Sequence, residues 1–256
     1  MSNEKINLII SFATYPRSNN ITYSLLERTF KSLLENQNLS KVNIKIIIVG
    51  DDYKNIDELK PIFKDYNTDF YNINLDNALR NMQNVPYIVK WKQAVQRNKI
   101  FILEKAIELN YDYILMSSDD DIYLNNKIVN SMEFIINYNY PDFVFNLGKF
   151  CKQTVIPKTN NIYSYPKAGR CISSGCIYNL KNKDFINSII EFRKNRWKTL
   201  EEIIEKNLSY DLIEAEDYEQ WKFLEPFFKS GKFKSILIPI IMINHETEGT
   251  LKKHIK

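Results

Sequence analysis

The sequence predicts a single α/β domain in which a mostly parallel sheet is flanked by helices. Three observations carry this. Short apolar, β-branched runs alternate with runs of helical spacing from the first residues onward, an order that calls for parallel strands covered by helices on both faces. Polar segments follow three of those runs, at Thr14–Arg17, Gly50–Asp52 and Asp119–Asp121, on the edge where such sheets bind ligands. At 256 residues the chain can bury roughly 70–75% of its extended surface without disulfides or metal staples.

The elements follow in order. Ile6–Phe12 reads as a buried strand and Thr14–Asn20 as a loop; Leu25, Leu26, Phe30, Leu33 and Leu34 then recur at helical spacing. Lys45–Val49 is the second strand, Asp57–Tyr66 a short helix and Asp69–Ile73 a third strand. Residues 74–96, rich in Asn, read as loop. Arg97–Leu109 is amphipathic, with Ile100, Leu103 and Ile107 on one face, and leads to a strand at Asp112–Met116. Beyond it, Ile128, Val129, Met132, Ile135 and Ile136 mark a helix, and Phe143–Leu147 a strand. A polar and aromatic stretch fills 148–176. Helices around Phe185–Ile190 and Trp221–Phe228 precede a final strand, Ser235–Ile243, that ends at Asn244-His245. With no internal repeat and no linker rich in Gly, Pro or Ser, one domain is expected over 1–256.

Composition excludes several classes. Average usage would give about 18 glycines, and the chain has 6. Neither G-x-G-x-x-G nor G-x-x-x-x-G-K-[ST] occurs, so a Rossmann dinucleotide fingerprint and a P-loop are ruled out. A net charge of +4 is too small for a nucleic-acid footprint. Cys151, Cys171 and Cys176 form an odd set without C-x-x-C spacing, which fits buried reduced thiols better than a disulfide framework. The apolar part of MSNEKINLIISF is too short for a secretory signal. The longest apolar run, Ile236–Ile243, is interrupted by Pro239 and falls far below the roughly 20 residues of a membrane span. A cytoplasmic protein is expected.

Asp119-Asp120-Asp121 follows the strand Tyr113–Met116. Three adjacent carboxylates repel one another, and a divalent cation or an Arg or Lys partner stabilises them best. Alternation along the strand predicts Asp119 and Asp121 on one side, able to share an ion. A solvated acidic turn is the plainer alternative. An EF-hand is excluded by Tyr123 and Leu124 at its fifth and sixth positions. Glu214-Ala215-Glu216-Asp217 opens a helix, where acidic residues also simply complement the helix dipole.

These segments resemble a known family. Ile6–Arg17, Ile46–Asp52, Arg97-Asn98-Lys99 opening a helix, and a strand ending in Asp119-x-Asp121 are similar to the nucleotide-binding half of GT-A glycosyltransferases. The likeness runs over about residues 5–125 and leaves 126–256 as the acceptor-side half. It implies that Thr14, Tyr15, Arg17, Arg97 and Asp51 or Asp52 contact the donor nucleotide. Asp119 and Asp120 would face its diphosphate. Asp119, Asp121 and His245, which follows the last strand, would ligate Mn²⁺ or Mg²⁺. Asp217, with Glu216 next, would be the base of an inverting transfer to an acceptor hydroxyl, on a glycan or another molecule, and a UDP-linked sugar is the expected donor. The strip 168–176 resembles the one facing donor sugar and acceptor, with Gly175 allowing close backbone approach; Tyr163, Tyr165 and Tyr178 are candidates to stack on sugars.

His245-x-x-x-Gly249-x-x-Lys252 resembles a retaining motif whose Lys meets the diphosphate. It is one residue longer than that motif, so inversion is the preferred outcome. The rival readings are a degenerate GT-A protein that binds a nucleotide sugar or glycan without turnover, and a carboxylate-based glycoside hydrolase. Oligomeric state is not readable from these residues.

Overall fold

The first strand is the axis of the N-terminal half. In the computed structural model, which describes residues 5–17, 21–35, 37–73, 85–150, 154–210, 214 and 216–245, β1 (Ile6–Thr14) pairs in parallel with β2 (Val42–Asp51) on one side. On the other side it pairs in parallel with β4 (Tyr113–Ser117). β3 (Thr68–Ile73) extends the parallel ladder beyond β2. β8 (Cys176–Asn179) runs antiparallel to β4, and β6 (Phe143–Phe150) antiparallel to β8. β9 (Ser235–His245) is parallel to β6, and the two-residue β5 (Ile122–Tyr123) closes the order against β9. The short β7 (Thr154–Ile156) hairpins onto β6. Among the described residues one sheet thus runs through both halves, in the order β3-β2-β1-β4-β8-β6-β9-β5. The mostly parallel α/β architecture expected from the sequence is present.

The central strands read as continuous apolar runs because both faces are buried. Leu8, Ile10 and Phe12 of β1 face one core and Ile9 the other; Ile46 and Ile48 of β2 divide likewise from Ile47 and Val49. The first core is covered by α1 (Ile21–Leu34), a 3-10 helix (Ile56–Phe63) and α3 (Lys127–Asn137). The second lies under α2 (Tyr87–Glu108), α4 (Lys183–Glu205) and α5 (Glu216–Lys229). Pro61 inside the 3-10 helix cannot donate to a helical ladder, which explains why the predicted short helix takes the tighter form. α4 starts where the Asn182 side chain accepts from Phe185 N at 3.1 Å. α3 has no such cap; Gln37 Oε1 accepts from Ile128 N and Val129 N instead.

One expectation needs correction. α2 begins at Tyr87, ten residues before Arg97, so the latter part of the predicted 74–96 loop is helix; residues 74–84 lie outside the described residues. Gln96 in that stretch is buried but polar, which an apolar pattern does not register. The final strand bulges: Asn146 pairs with Ile238 but Leu147 with Ile241, because Pro239 lacks the N–H that a regular ladder needs. Among the described residues no helix is long and apolar enough to cross a membrane.

Phe143 of β6 is the hub of the second core. Its ring centroid lies 5.1 Å from Tyr178, 5.2 Å from Trp221 and 6.0 Å from Phe228, and it is fully buried. Phe143→Ala is expected to lower stability by about 3–5 kcal/mol, read as a lower midpoint in urea unfolding with the slope unchanged.

Candidate functional site

The parallel register brings the ends of β1, β2 and β4 to one edge. Phe12 pairs with Ser117 and Thr14 with Gly50, so the loops after all three strands meet there. The acidic triplet lies in the loop beyond β4, not on the strand, and the predicted strand alternation therefore does not apply to it. Its three residues are all buried, which removes the solvated-turn reading.

Each acid has different company. Both oxygens of Asp119 are taken by the Arg17 guanidinium, at 2.7 Å each, and the Thr14 hydroxyl donates to Oδ2 at 2.7 Å. Thr14 also bonds the Tyr53 hydroxyl at 2.9 Å. Arg17 stacks on the Tyr15 ring at 4.1 Å. Burial opposes the guanidinium charge, but the bonds and charge of Asp119 more than offset it and hold Arg17 above its ordinary value. Asp121 is reached from the other end of the sheet. Ile122 pairs with Asn244, which sets Asp121 Oδ1 2.9 Å from His245 Nδ1; Ser118 Oγ donates to Oδ2 at 2.5 Å. The His245 ring stacks on Phe150, its partner across β6 and β9, at 5.2 Å. Burial works against the imidazolium, yet Asp121 and Asp120 keep His245 above its ordinary value. Asp120 offers its carbonyl to Arg28 at 2.8 Å. Burial first, then the charges of Asp119 and Asp121, push its carboxyl up to about 7.

A strip from the loop before β8 closes this floor. Ser174 Oγ accepts from Ser118 N at 3.0 Å and bonds the Tyr123 hydroxyl at 3.1 Å. Gly175 has φ 75°, and a Cβ there would stand 2.8 Å from Tyr123 Cε1, so both conformation and space demand glycine.

The first turn of α5 supplies the remaining acids. Lys99 Nζ donates to both Glu216 oxygens at 2.7 Å, and the Arg193 guanidinium donates to Oε1 as well. Burial opposes its charge, but Lys99 and Arg193 overcome that and hold Glu216 at about 2. Asp217 accepts from Tyr218 N at 2.9 Å. Burial and the neighbouring Glu216 charge raise it above the usual carboxylate value, against the pull of Lys99.

Several site expectations change accordingly. Asp119 is bonded to Arg17 and Thr14, while Asp121 meets His245 and Ser118. Glu216, ionised and wrapped by two cations, is a poor proton acceptor. Arg97 points away from this edge, stacked on Trp197 at 4.2 Å and 3.9 Å from Glu201; Lys99, two residues on, is the basic residue that α2 presents. Asp51 ends β2 buried, while Asp52 is exposed with φ 64°. Tyr178 is core, not a sugar platform, and Tyr163 is exposed, edge-on to Tyr138. Cys171 and Cys176 are buried free thiols. Cys151, Gly249 and Lys252 lie outside the described residues.

Arg193, Tyr53, Ser118 and Ser174 were not singled out from sequence. Arg193 did leave a signal: with Arg196 it interrupts the apolar stripe Phe185, Ile186, Ile189, Ile190, Leu200, and a charge on a buried stripe marks a buried partner.

The chemistry of the loop fits a divalent cation in part. Asp120 and Asp121 offer carboxylate oxygens and His245 a nitrogen, and the raised Asp120 marks a charge its neighbours compensate incompletely. Among the described residues, however, no group of three His, Cys, Asp or Glu side chains is arranged to hold a metal.

Solved structures share this fold. S. aureus TarS superposes with a TM-score of 0.58 at 12% identity, over 93% of this chain and 36% of that one. TarS 1-349 in complex with UDP gives 0.56 at 12% identity, over 94% and 60%, and the same protein with UDP-GlcNAc gives 0.51 at 12%, over 98% and 62%. The fold is GT-A-like. The chain spans less than two thirds of the length of these neighbours. No family model matches the sequence, and no curated protein does.

Within this GT-A-like site Glu216 makes a measurable claim on stability. Its carboxyl is held at about 2 when folded, against an ordinary 4.5, so its contribution is complete above the ordinary value and disappears as pH falls through the folded one. Glu216→Gln, which strands two buried cations, is expected to cost about 3–5 kcal/mol at neutral pH. In urea unfolding the gap to the parent should stay constant down to about pH 5 and then narrow.

Proposed function

We propose that the chain transfers a sugar from a nucleotide-diphosphate sugar, a UDP-sugar first among them, to an acceptor hydroxyl, with inversion at the sugar carbon. The observation that carries this is the Asp121–His245 pair at the ligand-binding edge of a GT-A-like sheet, with Asp217 offered by the first turn of α5. The TarS complexes with UDP and UDP-GlcNAc support the choice of donor.

In this reading the loop after β1 and the end of β2 receive the nucleoside. Arg17, held rigid by Asp119, lends positive charge to the diphosphate side. Asp121 and His245, with Asp120 beside them, are the residues that would hold Mn²⁺ or Mg²⁺, which when bound supplies charge against the leaving diphosphate. Asp217 takes the proton of the acceptor hydroxyl as its oxygen forms a bond to the anomeric carbon. The bond from that carbon to the diphosphate breaks on the opposite face, and the nucleoside diphosphate leaves. The raised proton affinity of Asp217 suits it to this role better than Glu216. The Arg17 claim on Asp119 favours a second reading, a protein of this fold that binds a nucleotide sugar without turnover.

A thermal-shift and turnover screen of UDP-, GDP- and TDP-sugars with and without Mn²⁺ separates these. The expected result is stabilisation by one nucleotide class, larger with metal, together with transfer or slow hydrolysis. Stabilisation without turnover on any donor selects the second reading, and no stabilisation by any of them overturns both. Asp217→Asn should keep the donor shift and lose about 10²–10⁴-fold in rate, whereas Asp121→Ala should lose the metal-dependent part of the shift. An unchanged rate in Asp217→Asn overturns the base assignment.

A further inference from the structure

Lys99, Arg193 and Glu216, three charged side chains that this mechanism leaves unused, gather where α2, α4 and α5 meet. Glu216 of α5 receives Lys99 of α2 through both oxygens at 2.7 Å and Arg193 of α4 through Oε1. Arg193 is almost wholly buried; it also donates to Gln96 Oε1 of α2 at 2.9 Å and to Gln220 Oε1, one turn along α5. Gln220 in turn reaches the Tyr178 hydroxyl of β8 at 3.4 Å. Three helices and a strand are thus tied to the residue that immediately precedes Asp217.

We propose that the Lys99–Glu216–Arg193 network is a positioning device for Asp217, fixing the turn that carries it and setting the balance of charge it faces. The inference rests on the reading of Asp217 as the proton acceptor. Apolar side chains of similar volume would join three helices at least as firmly, so stability alone does not account for a buried ion triad here. Its placement does. From its own helix Asp217 faces Glu216 and the Tyr218 N–H; Lys99 faces it from α2, and Arg193 stands behind Glu216 on α4. His245 on β9 and Cys171 in the loop before β8 complete its ionisable surroundings. The anion of Glu216 keeps two cations from claiming Asp217 as their own partner. Without it, Lys99 and Arg193 would draw Asp217 into an ion pair and weaken it as a base.

The test is a carboxyl ¹³C NMR titration of the full chain, with the Asp217 resonance assigned by its loss in Asp217→Asn. Glu216→Gln is expected to lower the Asp217 midpoint by about one pH unit or more, and Lys99→Met to raise it. Shifts in opposite directions would not arise from loosened packing. The proposal is overturned if both folded variants leave the midpoint in place or move it the same way. If Glu216→Gln does not fold, Lys99→Met decides alone, since it leaves Glu216 paired with Arg193: a raised midpoint supports the proposal and any other result overturns it. The readout needs no donor, so it separates from the base assignment. Turnover surviving in Asp217→Asn removes the catalytic reading while the shifts stand, and an unmoved midpoint removes only the network's role.

Discussion

Buried negative charge at one edge of the sheet is the constraint around which this molecule is arranged. Asp119, Asp120 and Asp121 are buried in the loop after β4, Glu216 and Asp217 open α5, and carboxylates withdrawn from water need compensation. Three receive it by direct contact: Asp119 from Arg17, Asp121 from His245, Glu216 from Lys99 and Arg193. Among the described residues no cation is seen bonded to the carboxylate of Asp120 or Asp217, and both carboxyls are raised from their ordinary value. The division is a division of labour. Paired acids brace the structure, and the two acids whose proton affinity is raised are those that the proposed reading assigns to a cation and to an acceptor's proton.

The fold makes this edge possible because distant segments end on it. β1 and β4 are parallel neighbours, which brings Arg17 to Asp119 across 102 residues of sequence. The two-residue β5 is too short to add much to the sheet, yet its pairing with Asn244 is what sets Asp121 against His245. α5 is packed on the second core through Trp221, Leu224 and Phe228, and Glu216 adds bonds to side chains from both of its helical neighbours.

Much of this was legible in the sequence, and what was not has a physical reason. Central strands announce themselves because burial on both faces makes them apolar throughout; Ile46–Val49 could hardly be anything else. The three polar segments on one edge follow from strand order alone. Pairing choices do not. Nothing in the triplet distinguishes Asp119 from Asp121, since which acid meets Arg17 and which meets His245 depends on a loop path and on a strand 120 residues away. Arg97 and Lys99 are likewise two residues apart on one helix, and about 200° of rotation sends one to Trp197 and the other to Glu216. The stretch of α2 before Arg97 includes Gln96, buried but polar, which an apolar pattern does not register. Polar burial is what a network needs and what periodicity cannot detect.

The two acids of the D-x-D spacing therefore need not act together. Asp119, saturated by Arg17 and Thr14, joins the loop after β1 to the loop after β4 and so holds the nucleotide side of the edge in shape. A buried bidentate pair of this kind is costly to break from either end, so Arg17 is as much a structural residue as Asp119. Asp121 keeps a softer partner, an imidazole whose charge depends on pH and whose nitrogen can ligate a metal. Under the proposed reading, a motif that looks like one ligand set in sequence divides into a brace, Asp119, and a residue, Asp121, that would hold the cation with His245. The brace would keep the edge in shape before a donor arrives.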